Sequence, residues 1–493
     1  MEIHLKPNFI IPFTVWGTYS FTIFACQLFQ GTLPIFALYI FFFHVCMGIT
    51  FNILGGLSSV EGWLITLFGL RHVVISQFMK VFFGQAADQG LKDPETTGLV
   101  YSIGMALVLS IAFLCSRFNI RFKNLIKPHS NSISNKLSWA LYFGGIFCQT
   151  MVMFQYYFSI YLTPFINLLS YLQPLTFLGI AYELNKVLTR TEGKSFLSLG
   201  SGLMLGWSFI FGVLNASKLL MFEPVFVLLV TLVLNSYRVS LKEILLGFVT
   251  LLLMILVLTP LSNDGRSVYR KNSWKDTIPA LKEYLEQNFS SIERYHEYKM
   301  HLESSSMSEL GFEKYYYEKA FPLLDRFSLV HEADVLISAY NFREPEGFKF
   351  FWDRFYILPR SLTGKWLKDS ELMGDALAKI SGLIREENNG TAIAFGFFAE
   401  SYAIGGLWGV IIFQLIVFTG YIIIIKSLEL PYGDKIWLVF LIVYLQNVFS
   451  ESGIIGLSFA IVRKFPLLFI LKKTLEFLEN TDLTRISKIY NFK

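Results

Sequence analysis

Apolar residues run along this chain in blocks of about 20, each closed by a short polar connection, and block length rather than any finer alternation predicts most of its elements. A helix needs about 20 mostly apolar residues to cross the hydrocarbon of a bilayer. By that measure, spans are predicted near 9–28, 32–54, 62–83, 98–116, 137–157, 162–182, 196–214, 217–235, 241–261, 404–425, 435–451 and 454–471. Arg463 and Lys464 interrupt the last run, which predicts a broken or tilted final helix. The pattern divides the chain into a membrane domain at 1–261, a polar segment at 262–390, and a second membrane domain with a tail at 391–493. The expected fold class is an all-α polytopic membrane protein of about 12 transmembrane helices with one large helical domain on one face.

The polar segment holds 39 of the chain's 79 charged residues, acidic and basic nearly balanced, and it is rich in aromatics such as Tyr315, Tyr316 and Tyr317. That mix predicts a folded domain rather than a disordered arm. Residues 275–302 read as an amphipathic helix, with Ile278, Leu281, Leu285 and Ile292 on one face. Phe348, Phe350, Phe351, Trp352 and Phe355 are expected at the lipid interface.

Composition agrees with the span pattern. Of the 493 residues, 54% are hydrophobic and 16% charged, so a soluble fold would lack polar cover for its surface. The formal charge of +5 is too small to imply nucleic acid. Cys26, Cys46, Cys115 and Cys148 all fall inside apolar runs, which predicts small buried hydrophobes rather than disulfides or metal ligands. The first apolar run lacks a small-residue cleavage site and is read as a span.

Basic residues set the orientation. Arg117, Arg121, Lys123, Lys127 and Lys136 lie in one connection; Lys186, Arg190 and Lys194, then Arg238 and Lys242, then Lys426 and Lys435, mark later ones. With the tail's Lys472 and Lys473 they all fall on one side, predicted cytoplasmic together with both termini. The segment 262–390 then faces outward.

An ionisable residue within a bilayer is costly and points to function. Arg71 lies in the middle of WLITLFGLRHVVISQFMKVFFG, and its planar fork suits a diphosphate; His72 beside it is more simply a buried histidine. Lys80 is expected to reach the interface. The run DRFYILPRSLTGKW brings Arg354, Arg360 and Lys365 near the membrane, and Arg326 stands upstream in LLDRFSLVHEADVL. In GFFAESYAIGGLWG, Glu400 is placed to act as a general base or as the partner of an arginine; Tyr402 is placed to hydrogen-bond a sugar or Glu400, and Gly405, Gly406 and Gly409 read as helix-packing positions. Pro164, Asn167, Gln173 and Pro174 predict an interrupted helix. No Walker sequence, HExxH or GxSxG is present, and neither cofactor nor metal is expected.

Taken together, the topology and the stretches GLRHV, LDRFS, ILPRSLTGKW and GFFAESYAIGGLWG resemble the Wzy-type O-antigen and oligosaccharide-repeat polymerases. The shared features are Pro359-Arg360 followed by Lys365, and Glu400-Ser401-Tyr402 before Gly405; Trp366 stands where the family pattern leads to Pro. The resemblance implies a GT-C-like, metal-independent glycosyltransferase of the bacterial inner membrane, with its large loop in the periplasm. Its substrates would be undecaprenyl-diphosphate oligosaccharides, and a chain-length regulator would be a partner besides membrane lipid. Arg71, Arg360 and Glu400 would be catalytic, and His72, Arg326, Arg354, Lys365 and Tyr402 would bind substrate. An O-antigen ligase, another lipid-linked sugar transferase and a polysaccharide-unit flippase are the rival readings.

Overall fold

The computed structural model describes residues 2–4, 10–118, 135–158, 169–214, 217–253, 328–341, 343–355, 373–383, 394–428, 435–451 and 453–480, with isolated positions at 282–300 and Tyr316–Tyr317. Arg326, Arg360 and Lys365 lie outside the described residues, as does most of the amphipathic helix expected at 275–302.

The protein is an all-α membrane protein. Its helices are α1 (Phe13–Phe29), α2 (Pro34–Ile53), α3 (Val60–Phe82), α4 (Pro94–Arg117), α5 (Asn135–Phe158), α6 (Leu175–Arg190), α7 (Leu199–Leu214), α8 (Lys218–Leu234) and α9 (Leu241–Leu253). Then come α10 (Val330–Asn341), α11 (Gly347–Arg354), α12 (Met373–Ile380), α13 (Phe397–Leu428), α14 (Lys435–Glu451) and α15, which starts at Ile454 and ends at Asn480. Among the described residues, α2, α3, α4, α13 and the Ile454–Thr474 part of α15 are long and apolar enough to cross a membrane, and parts of α5, α7, α8 and α14 are shorter apolar helices. The run expected at 162–182 is interrupted, as Gln173 and Pro174 predict: residues 169–172 are helical before the turn, while Pro164 and Asn167 lie outside the described residues. The chain turns at Gln173–Pro174 and α6 begins only at Leu175, because a proline cannot donate within a helix but is favoured at its start. The expected interruption at Arg463–Lys464 is a π-helical turn, Ala460–Lys464, inside a continuous helix. Similar turns widen α3 at Leu70–Val74 and α13 at Gln414–Phe418.

Glycines set the closest helix contacts. A Cβ on Gly98 of α4 would meet the Phe36 and Tyr39 rings of α2 at 2.9 Å, and one on Gly179 of α6 would meet the Tyr142 backbone of α5 at 2.7 Å. This is how membrane helices maximise dispersion contact without a hydrophobic drive between them. The middle of α14 is buried on every side, with Val439, Phe440, Leu441, Ile442, Val443 and Leu445 all enclosed, so this stretch lies inside the bundle.

The basic connections converge on one face. The N-terminal strand β1 (Glu2–His4) pairs antiparallel with β2 (Arg238–Ser240), Lys435 Nζ reaches Asn235 at 3.5 Å, and Lys426 Nζ donates to the Cys115 carbonyl at 3.3 Å. On the other face, here called upper, the turn after α1 is tied to the 83–93 loop: Ala87 N–H donates to Thr32 and Leu33 N–H to Asp88. Of the basic residues read from the charge pattern, Lys426 and Lys435 are thus tied to the ends of neighbouring helices and Arg238 to the N-terminal strand.

α10 comes from the polar segment, yet it is a buried wedge between α4 and α13. Asp334 fastens it, taking N–H donors from Lys92 (2.5 Å) and Asp93 (3.0 Å) and the Thr97 hydroxyl at 2.9 Å, just where α4 starts. Burial pushes the Asp334 carboxyl up to about 6 despite these donors, which favour its charged form. Deeper in the bundle, the Leu329 N–H donates to the Arg71 carbonyl at 3.3 Å. A second tie is Lys80. Fully buried, its ammonium donates to the Gln89 carbonyl at 2.9 Å and lies 4.3 Å from the centre of the Tyr316 ring. The expectation that Lys80 reaches the interface is therefore corrected: its cation is consumed inside the upper face.

A candidate site on a re-entrant hairpin

The first turns of α13 do not belong to a straight span. Gly405 (φ −143°, ψ 20°) and Gly406 (φ 58°, ψ −147°) leave helical geometry and reverse the chain. In an unbroken helix Phe397 and Phe418 would stand about 31 Å apart at 1.5 Å per residue. Their rings are 5.5 Å apart, and both Phe398 and Phe418 touch Phe68 of α3. Residues 397–404 thus rise toward the upper face as a short arm, and 407–428 descend as the span. Gly409 lets the two arms meet: a Cβ there would lie 2.2 Å from the Ser401 carbonyl oxygen. The packing role read for Gly409 is present, whereas Gly405 and Gly406 serve as the turn itself.

Glu400 sits on the short arm, 4% exposed. Its Oε2 accepts the Ile454 N–H at 2.8 Å, the first N–H of α15. A helix N-terminus presents unsatisfied N–H groups and the positive end of the helix dipole, both favourable to a carboxylate. Gly453 makes the approach possible, since a Cβ at that position would fall 1.8 Å from the Glu400 carboxyl carbon.

The foot of the arm rests on His72, which is 1% exposed. Its Nδ1 lies 2.9 Å from the Phe68 carbonyl, so it carries the proton and donates, leaving Nε2 as an acceptor in the neutral ring. Nε2 has no partner among the described residues and faces Gly396, where a Cβ would approach to 2.6 Å. Gly396 has φ +84°, open to glycine and strained for other residues, and its carbonyl accepts the Glu400 N–H at 3.2 Å. Arg71 precedes His72 in the same π-helical turn and is half-buried. His72 is the one of the two seen against the arm that carries Glu400, while the Arg71 carbonyl accepts the Leu329 N–H.

Tyr402 and Arg354 belong to the hairpin's upper surroundings. The Tyr402 hydroxyl donates to Asn341 Oδ1 at 2.8 Å, and Asn341 in turn donates to Thr96 at 3.0 Å. The expectation that this phenol bonds Glu400 is corrected: it ties the arm to α10 and α4. Arg354 ends α11, stacks 3.7 Å above the Phe350 ring and donates to the Phe350 carbonyl at 3.3 Å. α11 leans on the hairpin through Phe351–Phe413 (5.1 Å), while Trp352 is exposed. Of the run expected at the lipid interface, Phe348 and Trp352 are exposed and Phe351 is core.

Gly396, Gly453 and the Ile454 N–H escape a reading of side chains alone. Their signals, a glycine four residues before Glu400 and another opening the last apolar run, acquire meaning only once the two segments are seen in contact. Comparisons with protein-family models, curated proteins and solved structures give no match.

Proposed function

We propose that the chain polymerises undecaprenyl-diphosphate-linked oligosaccharides, as a GT-C-like glycosyltransferase at the periplasmic face of the bacterial inner membrane. The observation that carries this reading is a buried carboxylate, Glu400, held on a re-entrant arm and seated at a helix N-terminus. Few structural needs call for an ionisable group there, and intramembrane carboxylates are expensive enough to be functional by default.

In the proposed step an acceptor sugar hydroxyl attacks the anomeric carbon of the growing chain. The new glycosidic C–O bond forms as the bond to the lipid diphosphate breaks, and the hydroxyl proton passes to Glu400. Positioned general bases supply about 10²–10⁴ in rate. Arg71, with Arg360 and Arg326 from the polar segment, would stabilise the departing diphosphate through bidentate, charge-assisted hydrogen bonds. Lys365, His72, Tyr402 and Arg354 would line or brace the groove. Gly405 and Gly406 give the arm freedom to open the carboxylate to substrate.

The test is lipopolysaccharide banding in the bacterium lacking the gene. Loss of a polymerase leaves single repeats on the lipid core and complementation restores the ladder. A complete absence of repeats on the core would instead indicate a ligase, and repeats trapped on the cytoplasmic face would indicate a flippase.

A further inference from the structure

A second polar region lies within the bundle, away from Glu400. It is a cavity of about 250 Å³ bordered by α5, the turn before α6, α8, α14 and the π-helical turn of α15. Its lining includes Gln149, Tyr171, Gln173, Glu223, Tyr444 and Lys464. Lys464 is ten residues below Ile454 on the same helix, about 15 Å along its axis. The volume is room for about eight waters at ~30 Å³ each.

Several features mark a built site. Tyr444 is 7% exposed, and its hydroxyl has no partner among the described residues. The Lys464 ammonium lies 5.0 Å from the centre of the Tyr444 ring, and Glu223 is close enough for its charge to act on Lys464. The turn at Gln173–Pro174, which interrupts the helix before α6, contributes Gln173 to the wall beside Tyr171. The Tyr444 hydroxyl is the buried polar atom here that lacks a partner among the described residues, and such an atom is unfavourable unless a ligand or water completes its hydrogen bond.

The chemistry narrows the ligand. An anion would meet Glu223 and a cation would meet Lys464. A neutral molecule rich in hydroxyls meets donors and acceptors together: two amides, two phenols, a carboxylate and an ammonium. The Tyr444 ring itself is occupied, stacked on Phe440 at 5.7 Å and lying under Lys464, so it is the phenol oxygens that are offered to the ligand. We infer that this chamber binds a single neutral saccharide unit. The inference does not rest on the polymerase reading, since a sugar transporter would have equal use for such a chamber.

The test uses the full-length protein in lipid nanodiscs, with saturation transfer to ligand protons read by NMR. The probes are the methyl glycosides of glucose, galactose and mannose, and N-acetylglucosamine. Transfer to at least one sugar is expected, undiminished by equal concentrations of inorganic phosphate or alanine. Tyr444→Phe should weaken it about fivefold, the weight of one hydrogen bond, and Glu223→Gln at least as much. Tyr444→Phe keeps the ring beside Lys464 and removes only an unpartnered oxygen, so the fold is retained. The inference fails if none of the four sugars receives transfer, if both variants match the wild type, or if phosphate or alanine displaces the sugar.

Discussion

The Glu400 carboxylate accepts the first N–H of α15, that of Ile454, at 2.8 Å, and Gly453 beside it leaves the room that carboxylate fills. Two segments 54 residues apart are joined by this one contact. It separates two explanations of the glutamate. As a mere cap, it would be replaceable by any acceptor of the same shape. As a base, it needs its charge.

Glu400→Gln retains an acceptor for the Ile454 N–H and removes the charge. We expect it to leave protein abundance near normal while lowering polymer synthesis by about 10²-fold or more, as loss of a general base does. Glu400→Ala should lose activity and stability together. Polysaccharide ladders and detergent thermal melts measured on both variants check this, and a glutamine variant with wild-type ladders would make the residue a cap alone.

Gly453→Ala should drive a methyl group into the Glu400 carboxylate. Overpacking of this kind costs about 1–3 kcal/mol. A lower melting temperature is expected, and combining it with Glu400→Ala should restore much of that loss without restoring synthesis. A double variant no more stable than Gly453→Ala alone would contradict the contact.

Gly406→Ala forces a side chain into φ 58°, ψ −147°, a region essentially confined to glycine, at a cost of about 1–3 kcal/mol. The hairpin should loosen and the arm lose its place against His72. Hydrogen exchange of the 397–404 amides is expected to speed up in this variant, and unchanged exchange would contradict the hairpin.

Arg71→Ala should shorten or abolish the polysaccharide ladder, and Arg71→Lys should rescue it poorly, because an ammonium lacks the planar fork that grips a diphosphate. Equal ladders for lysine and arginine at this position would assign it a role as a simple point charge.

Asp334 gives a pH signature. Its folded-state pKa of about 6 is above the usual carboxylate value of 3.8, so the folded state holds the proton more tightly than the unfolded chain. Its contribution is therefore most favourable below about pH 4 and is lost as pH rises through about 6. Hydrogen exchange of the α10 amides should speed up across that window, and Asp334→Asn should flatten the change.

Much of the fold could be read from block length. Runs such as 32–54 and 98–116 became α2 and α4 within a few residues, because a bilayer imposes one length and an apolar surface whatever the side chains pack against. The hairpin could not be read that way. GFFAESYAIGGLWG is apolar throughout, and periodicity does not tell a rising arm from the start of a descending span. Only the contacts of Phe397 with Phe418 and of Ser401 with Gly409 do so. Glu400 and His72 stood out as ionisable groups in apolar runs, whereas Gly396 and Gly453, which seat them, carry no chemistry of their own. Asp334 looked like one more charge in a polar segment, since nothing local marks α10 as a wedge inside the bundle.

The π-helical turns in α3, α13 and α15 each hold one residue more than a regular turn would need. Deleting a single residue from such a turn would shorten a helix by only ~1.5 Å but swing everything beyond it by about 100° around the axis. Evolution can therefore retune which side chains look inward with one codon gained or lost, while the helix still fits the thickness of the bilayer.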